Sequence, residues 1–166
     1  MWDSKGNQVK EFTGHSGRVW SVAISTDKQT IVSGGVDGTV RLWDSKGNQV
    51  AISRGHSDYV FSVVISTNKQ TIVSGGLDGT VRLWDSKGKQ IAELRGHPKS
   101  VRSVAISTDK QTIVSGGEDV IVRLWDIRFE SWLKTACERL QDHRVFKEPK
   151  TPEEKGAKAT CEPYLR

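Results

Sequence analysis

TIVSGGVDGTVRLWD, residues 30–44, holds two strand-like runs folded around one turn. TIVSGG is short and β-branched, and the pair Gly34-Gly35 ends it. TVRLWD alternates Val40 and Leu42 with Arg41 and Trp43, the period-two pattern of a strand with one buried face. Between them, Asp37-Gly38 is a strong short hairpin signal, because glycine accepts the positive φ that a tight turn requires.

The stretch returns at 71–85 as TIVSGGLDGTVRLWD and at 112–126 as TIVSGGEDVIVRLWD. Trp2, Trp43, Trp84 and Trp125 are spaced 41 residues apart, and Gly14-His15, Gly55-His56 and Gly96-His97 keep the same spacing. Upstream of each hairpin a further strand is expected, such as RVWSVAIS with Val19, Val22 and Ile24. NQVKEF is a weaker fourth strand that leads into the Gly-His turn. Four strands per unit at this period describe a propeller blade, not a helical repeat of about 34 residues.

The pattern GH…VWSVAIS…IVSGGVDGTVRLWD resembles the WD-repeat (WD40) family, and it recurs at 14–44, 55–85 and 96–126. The fold implied is all-β, a partial β-propeller of three four-stranded WD-repeat blades. A small α-helical tail is expected after it. Residues 1–126 are read as the blades and 127–166 as the tail, with 2–13 the outer strand of an incomplete blade. Met1 stands where the other copies carry leucine before Trp, so this strand is expected to clasp a blade supplied elsewhere.

Every copy contains a His, a Ser and an Asp, the residue types of a nucleophilic triad. They are His15, Ser33 and Asp37, then His56, Ser74 and Asp78, then His97, Ser115 and Asp119. The family resemblance implies a different role, in which each set joins Trp43, Trp84 or Trp125 in a structural hydrogen-bonded tetrad. Three identical sets argue against one unique active site, so a hydrolase stands as the alternative and a non-enzyme as the reading. In the third copy Val120 and Ile121 replace Gly79 and Thr80. A β-branched residue resists positive φ, so a different turn type and a distorted last tetrad are expected there.

Against this constant background, a few positions differ in all three copies. Trp20, Phe61 and Arg102 form one such set, and Val36, Leu77 and Glu118 another. In propellers of this kind these positions lie around the central channel on the top face, which engages proteins or peptides. Aromatic and arginine side chains are also enriched in binding hot spots. The six are therefore the candidate partner-binding residues.

Three blades are fewer than the four to eight that close a propeller. Self-association is expected to complete the ring, with a homodimer favoured by blade arithmetic. The competing expectation is a truncated remnant of a longer array. The expected role is a protein–protein interaction scaffold, with service as the sensor of a signalling system as a finer possibility.

After Asp126 the pattern changes. Phe129, Trp132, Leu133, Ala136, Cys137 and Leu140 fall on one helical face, and Thr151-Pro152 reads as the cap and first position of a second helix. This tail resembles the tails of cyanobacterial signalling proteins. The chain opens with no apolar leader and contains no apolar run long enough to span a membrane, so a cytoplasmic location and no membrane partner are expected. In that compartment Cys137 and Cys161 are expected as separate thiols, with Cys137 a small core residue. Their spacing with His143 does not suit a metal site, and no metal or cofactor is expected. The net charge of +5 is dispersed, with 16 basic against 13 acidic residues up to position 126 and 9 against 7 beyond it. A polyanion footprint needs clustered basic residues, so no nucleic-acid partner is expected.

Overall fold

A computed structural model describes residues 5–7, 10–128, 137, 151, 152, 155 and 161. By its internal contacts the chain divides into Met1–Trp125 and Asp126–Arg166. Among the described residues, eleven strands form three antiparallel sheets. The first sheet is β1 (Val19–Ile24), β2 (Thr30–Gly35), β3 (Thr39–Asp44) and β4 (Gln49–Arg54). The second is β5 (Val60–Ile65), β6 (Thr71–Gly76), β7 (Thr80–Asp85) and β8 (Gln90–Arg95). The third has only β9 (Val101–Ile106), β10 (Thr112–Gly117) and β11 (Val122–Asp126). Each sheet runs in simple sequence order, because every connection is a tight turn between antiparallel neighbours. These are three blades of a partial propeller, two with four strands and one with three.

The joints between blades repeat along with the sequence. Val60 and Val63 of β5 press on Gly34 of the first blade, and Val101 and Val104 of β9 press on Gly75 of the second. A Cβ at Gly34 would lie 2.6 Å from Val60, and one at Gly75 would lie 2.5 Å from Val101. The glycines in TIVSGG therefore end the strand and also open the socket into which the next blade fits. Val32, Val40 and Leu42 of the first blade and Val60, Val63, Ile72 and Trp84 of the second make one continuous core cluster. Each such side chain stabilises the fold by roughly 1.5–3 kcal/mol when fully removed from water. Side chains lock the same joints: the Val63 N–H donates to Ser21 Oγ at 3.0 Å, and the Val104 N–H to Ser62 Oγ at 3.1 Å.

The third hairpin corrects one expectation. Val120 adopts φ 59°, close to the 69° and 73° of Gly38 and Gly79. Its N–H donates to the Gly117 carbonyl at 3.2 Å, as Gly38 does to Gly35 and Gly79 to Gly76. The turn type does not change; the valine is held in left-handed backbone instead, at a cost of about 1–2 kcal/mol. The strong pairing of β10 with β9 and the ligands gathered by Asp119 hold the loop in place.

In the second unit, Cys137 and Cys161 are joined by a disulfide, with Cα atoms 5.3 Å apart and 24 residues between them in sequence. Separate thiols were expected from a reducing compartment. The fold instead brings two buried sulfurs within bonding distance, a closeness that their separation in sequence hides. Both cysteines have helical backbone, as do Pro152 and Lys155, and the Lys155 N–H donates to the Thr151 carbonyl at 3.0 Å. The remaining positions of the expected apolar helical stripe, and His143, lie outside the described residues.

Candidate functional site

Each blade contains a chain of hydrogen bonds running from its outer side inward. In the second blade the Trp84 indole N–H donates to Ser74 Oγ at 2.8 Å, and Ser74 Oγ lies 2.7 Å from His56 Nε2. His56 Nδ1 then meets both oxygens of Asp78 at 3.0 Å. An indole N–H can only donate and a carboxylate can only accept, so with a neutral imidazole the network has one consistent proton assignment. Ser74 donates to Nε2, and Nδ1–H donates to the carboxylate. Trp43, Ser33, His15 and Asp37 repeat this arrangement in the first blade. Trp125, Ser115, His97 and Asp119 repeat the bonds in the third, at 2.8, 2.8 and 2.9 Å, but there the Arg123 guanidinium also lies 2.8 Å from His97 Nδ1.

Other residues join the relay. Thr39 and Thr80 donate through their hydroxyls to Asp37 and Asp78, both at 2.8 Å. Arg41 and Arg82 donate Nε–H to those same threonines and reach Gln49 and Gln90. Sequence reasoning missed these arginines. The signal was available, since Arg41, Arg82 and Arg123 are the same residue in every copy, yet the alternation pattern suggested a solvent-facing position. Arg41 and Arg82 are buried. In the third blade Ile121 has no hydroxyl to offer, and Arg123 bonds to Asp119 at 2.5 Å, closer than Arg41 to Asp37 at 3.3 Å.

Burial pushes the Asp37 and Asp78 carboxyls up, and the bonds from His15, His56 and the threonines overcome it, holding both well below the usual carboxylate range. At Asp119 burial again opposes, the His97 and Arg123 bonds prevail, and the pKa falls to about 2. Among the described residues no buried side-chain polar atom lacks a partner. The relay has the polarity of a nucleophilic triad, but each serine oxygen also accepts an indole N–H, and each serine residue is 5 % exposed or less. His15 and Ser33 border a cavity of about 110 Å³ beside the first blade, whose other lining includes Phe12, Val19, Val22 and Trp43. That lining is mostly apolar.

A second constellation lies where β1, β5 and β9 begin. Val19 pairs with Gly35 and Ser21 with Gly34, so Trp20 is the extra residue of a β-bulge. Phe61 and Arg102 occupy the same bulge in the other two blades. A bulged residue leaves the ladder and its side chain is re-aimed, so these three stand together. Trp20 and Phe61 meet edge to face at 6.0 Å, and the Arg102 guanidinium lies 3.9 Å above the Phe61 ring. Arg102 Nε–H donates to Glu118 at 2.9 Å and Ser100 Oγ donates to Glu118 at 3.0 Å. The Arg102 bond is the main cause holding the Glu118 carboxyl below its ordinary range. Val36 and Leu77 are half-buried at the matching position, their N–H groups bonded to the Arg18 and Tyr59 carbonyls. Tyr59 extends the aromatic row, meeting Phe61 at 6.4 Å, and was not among the residues expected there.

Repeated four-stranded sheets with a Trp–Ser–His–Asp relay in each define a propeller-blade protein. The family model described as "WD domain, G-beta repeat" matches residues 6–44, 47–85 and 88–126, and the chain belongs to this WD40 family of interaction scaffolds. It is also similar to the eukaryotic translation initiation factor 3 subunit I of Aspergillus niger, at 37% identity over 41 residues. That match covers 25% of this chain and 12% of the relative. Among the described residues no helix is long and apolar enough to cross a membrane, and no cluster of acidic, histidine and cysteine side chains could hold a metal ion.

Proposed function

We propose that the chain is a non-catalytic scaffold that binds proteins or peptides through the face carrying Trp20, Phe61, Arg102 and Glu118, flanked by Val36 and Leu77. The observation that carries this reading is the bulge, which takes the one residue of each inner strand that differs in all three copies out of the ladder and gathers aromatic and cationic groups on a half-exposed surface. Trp20 is 50% exposed and Arg102 49% exposed along its side chain, so both are available to a partner. The Trp–Ser–His–Asp sets serve in this reading as structural tetrads. Their serines are buried and each is engaged by both an indole N–H and an imidazole, and this speaks against the hydrolase alternative.

The partner is a protein and not a nucleic acid, because aromatic rings and an internally paired arginine offer no cluster of cations to phosphates. The fungal relative is by its name a subunit of an assembly, which supports the scaffold reading. A sensor role in a signalling system rests on the sequence of the tail, as does the division of the chain into blades and a helical tail at residue 126. A cytoplasmic location fits the sequence but sits against the disulfide. We also propose that the chain associates with itself as a homodimer to close its ring.

The scaffold reading is tested by comparing what the wild-type chain and the double variant Arg102→Ala, Glu118→Ala retain from cell extract. Proteins held by the first and lost by the second, at unchanged melting temperature, support this face. An identical retained set overturns it.

A further inference from the structure

The first and last blades present opposite halves of one joint. Within the chain, each joint is a knob from the following blade seated on a glycine of the preceding one: Val60 and Val63 on Gly34, then Val101 and Val104 on Gly75. Val19 and Val22, the equivalent knobs of the first blade, are 48% and 68% exposed. Gly116, the equivalent socket of the third blade, has no atom within 4 Å of where a Cβ would stand. We propose that these two surfaces bind each other between two copies of the chain, head to tail at two equivalent joints, so that two sets of three sheets form one six-bladed ring. This rests on the homodimer reading and specifies how it is built.

The other contacts of the internal joints are present in both halves. Ser21 and Ser62 accept the N–H of Val63 and Val104 in the next blade. Ser103 is the corresponding acceptor of the third blade, and the N–H of Val22 in a second copy is the donor it meets. Lys69 pairs with Asp27 across the first joint. Between copies the same places are held by Lys28 and Asp109, again opposite in charge.

The open edge of the third sheet supplies the remaining part. β11 ends the sheet β11-β10-β9, while its equivalents β3 and β7 pair with β4 and β8. In the second blade Val81 pairs with Leu94, Arg82 with Glu93 and Leu83 with Ala92. Stepping by the repeat, Val122 of one copy faces Phe12 of the other, Arg123 faces Glu11, and Leu124 faces Lys10. The Arg82–Glu93 ion pair of 2.8 Å then recurs as Arg123 with Glu11. Residues 10–13 already lie where such a strand belongs relative to the first blade. Lys10 covers Gly47 as Ala51 covers Gly88, and Phe12 packs on Trp43 at 5.9 Å. Docking a second copy places β11 alongside that segment, covering Val122 and Leu124, which are 68% and 72% exposed.

One element works against the joint. Gly38 and Gly79 lie beneath backbone carbonyls of the next blade, where a Cβ at Gly79 would come 2.7 Å from the His97 oxygen. Val120 holds this place in the third blade, so the hairpin tip must shift for the copies to meet. The joint between copies is thereby weaker than those within a chain, and a glycine at 120 should strengthen it.

Sedimentation equilibrium of the 166-residue chain, of mass 18.4 kDa, tests both levels. A concentration-dependent species of twice the chain mass is expected. Gly116→Val, at a site with space around it, should keep the melting profile and weaken association at least about tenfold. Val120→Gly should tighten it several-fold. Mixing a Phe12→Cys chain with a Val122→Cys chain should yield a disulfide-linked pair that neither forms alone. A monomer at all concentrations, or an open polymer, overturns the homodimer and this joint together. A discrete dimer indifferent to Gly116→Val, or one without the mixed cross-link, overturns the joint and leaves the homodimer standing.

Discussion

The second and third blades carry the same segment, VRLWD, and bury it in opposite ways. Val81 and Leu83 are 0% and 3% exposed, whereas Val122 and Leu124 are 68% and 72% exposed. Both segments form strands, and both present an indole to a serine at 2.8 Å. The difference lies outside them: among the described residues one strand has a following blade and a fourth strand beside it, and the other has neither. Strand formation and the tetrad are thus properties of a blade, and burial is a property of its neighbours.

The sharpest way to break this comparison is to truncate the same leucine in each place. Leu83→Ala should lower the unfolding free energy by about 2–5 kcal/mol, while Leu124→Ala in the monomer should cost less than about 0.5 kcal/mol. Equal losses in denaturant titrations would show that β11 is covered in solution. Next in size is the tetrad, which the blades share. His56→Ala should cost about 1–3 kcal/mol, because Ser74 and Asp78 lose their partner in a buried site. A melting temperature equal to wild type, with loss of a hydrolytic activity instead, would reverse the structural assignment.

The tetrads also set the response to acid. Their aspartates have folded pKa values below the unfolded value of about 3.9, so their contribution is fully present above that pH. It is lost as pH falls through the folded values, which for Asp119 means down to about 2. Unfolding monitored by tryptophan fluorescence should begin below about pH 4. Asp119→Asn should flatten that dependence in the third blade. Smaller again is relief of the strained turn: Val120→Gly should stabilise the chain by about 1 kcal/mol, whereas Gly79→Val should destabilise it by more, since the second hairpin also lies beneath the next blade. The smallest effect concerns the tail. Reducing the bond between Cys137 and Cys161 should leave the melting of the blades unchanged, as its loop lies wholly within Asp126–Arg166. A thiol titration of the chain as isolated would report whether this bond is formed.

Much of the fold was legible because it is local and repeated. The 41-residue spacing, the β-branched runs and the Asp-Gly turns each report on a few adjacent residues, and their recurrence removes ambiguity. The residues of the relay were legible as types, but the inclusion of Arg41 and Arg82 was not, since alternation alone places an arginine in solvent. Trp20, Phe61 and Arg102 could be singled out because they vary, while the bulge that makes them neighbours depends on strand register. Val120 was misjudged for a related reason. Propensity speaks for the isolated turn, and here the pairing of β9 with β10 and the contacts of Asp119 overrule it.

By itself, then, the sequence determined the repeating unit, its strands and turns, and the set of polar side chains that each blade buries. These follow from backbone sterics and from periodicity within a few residues. Only the tertiary structure decided which faces are covered, that Cys137 meets Cys161, and that Gly34 and Gly75 are filled while Gly116 is open. Those facts depend on what lies next to a segment in space, and identical segments with different neighbours hold no record of it.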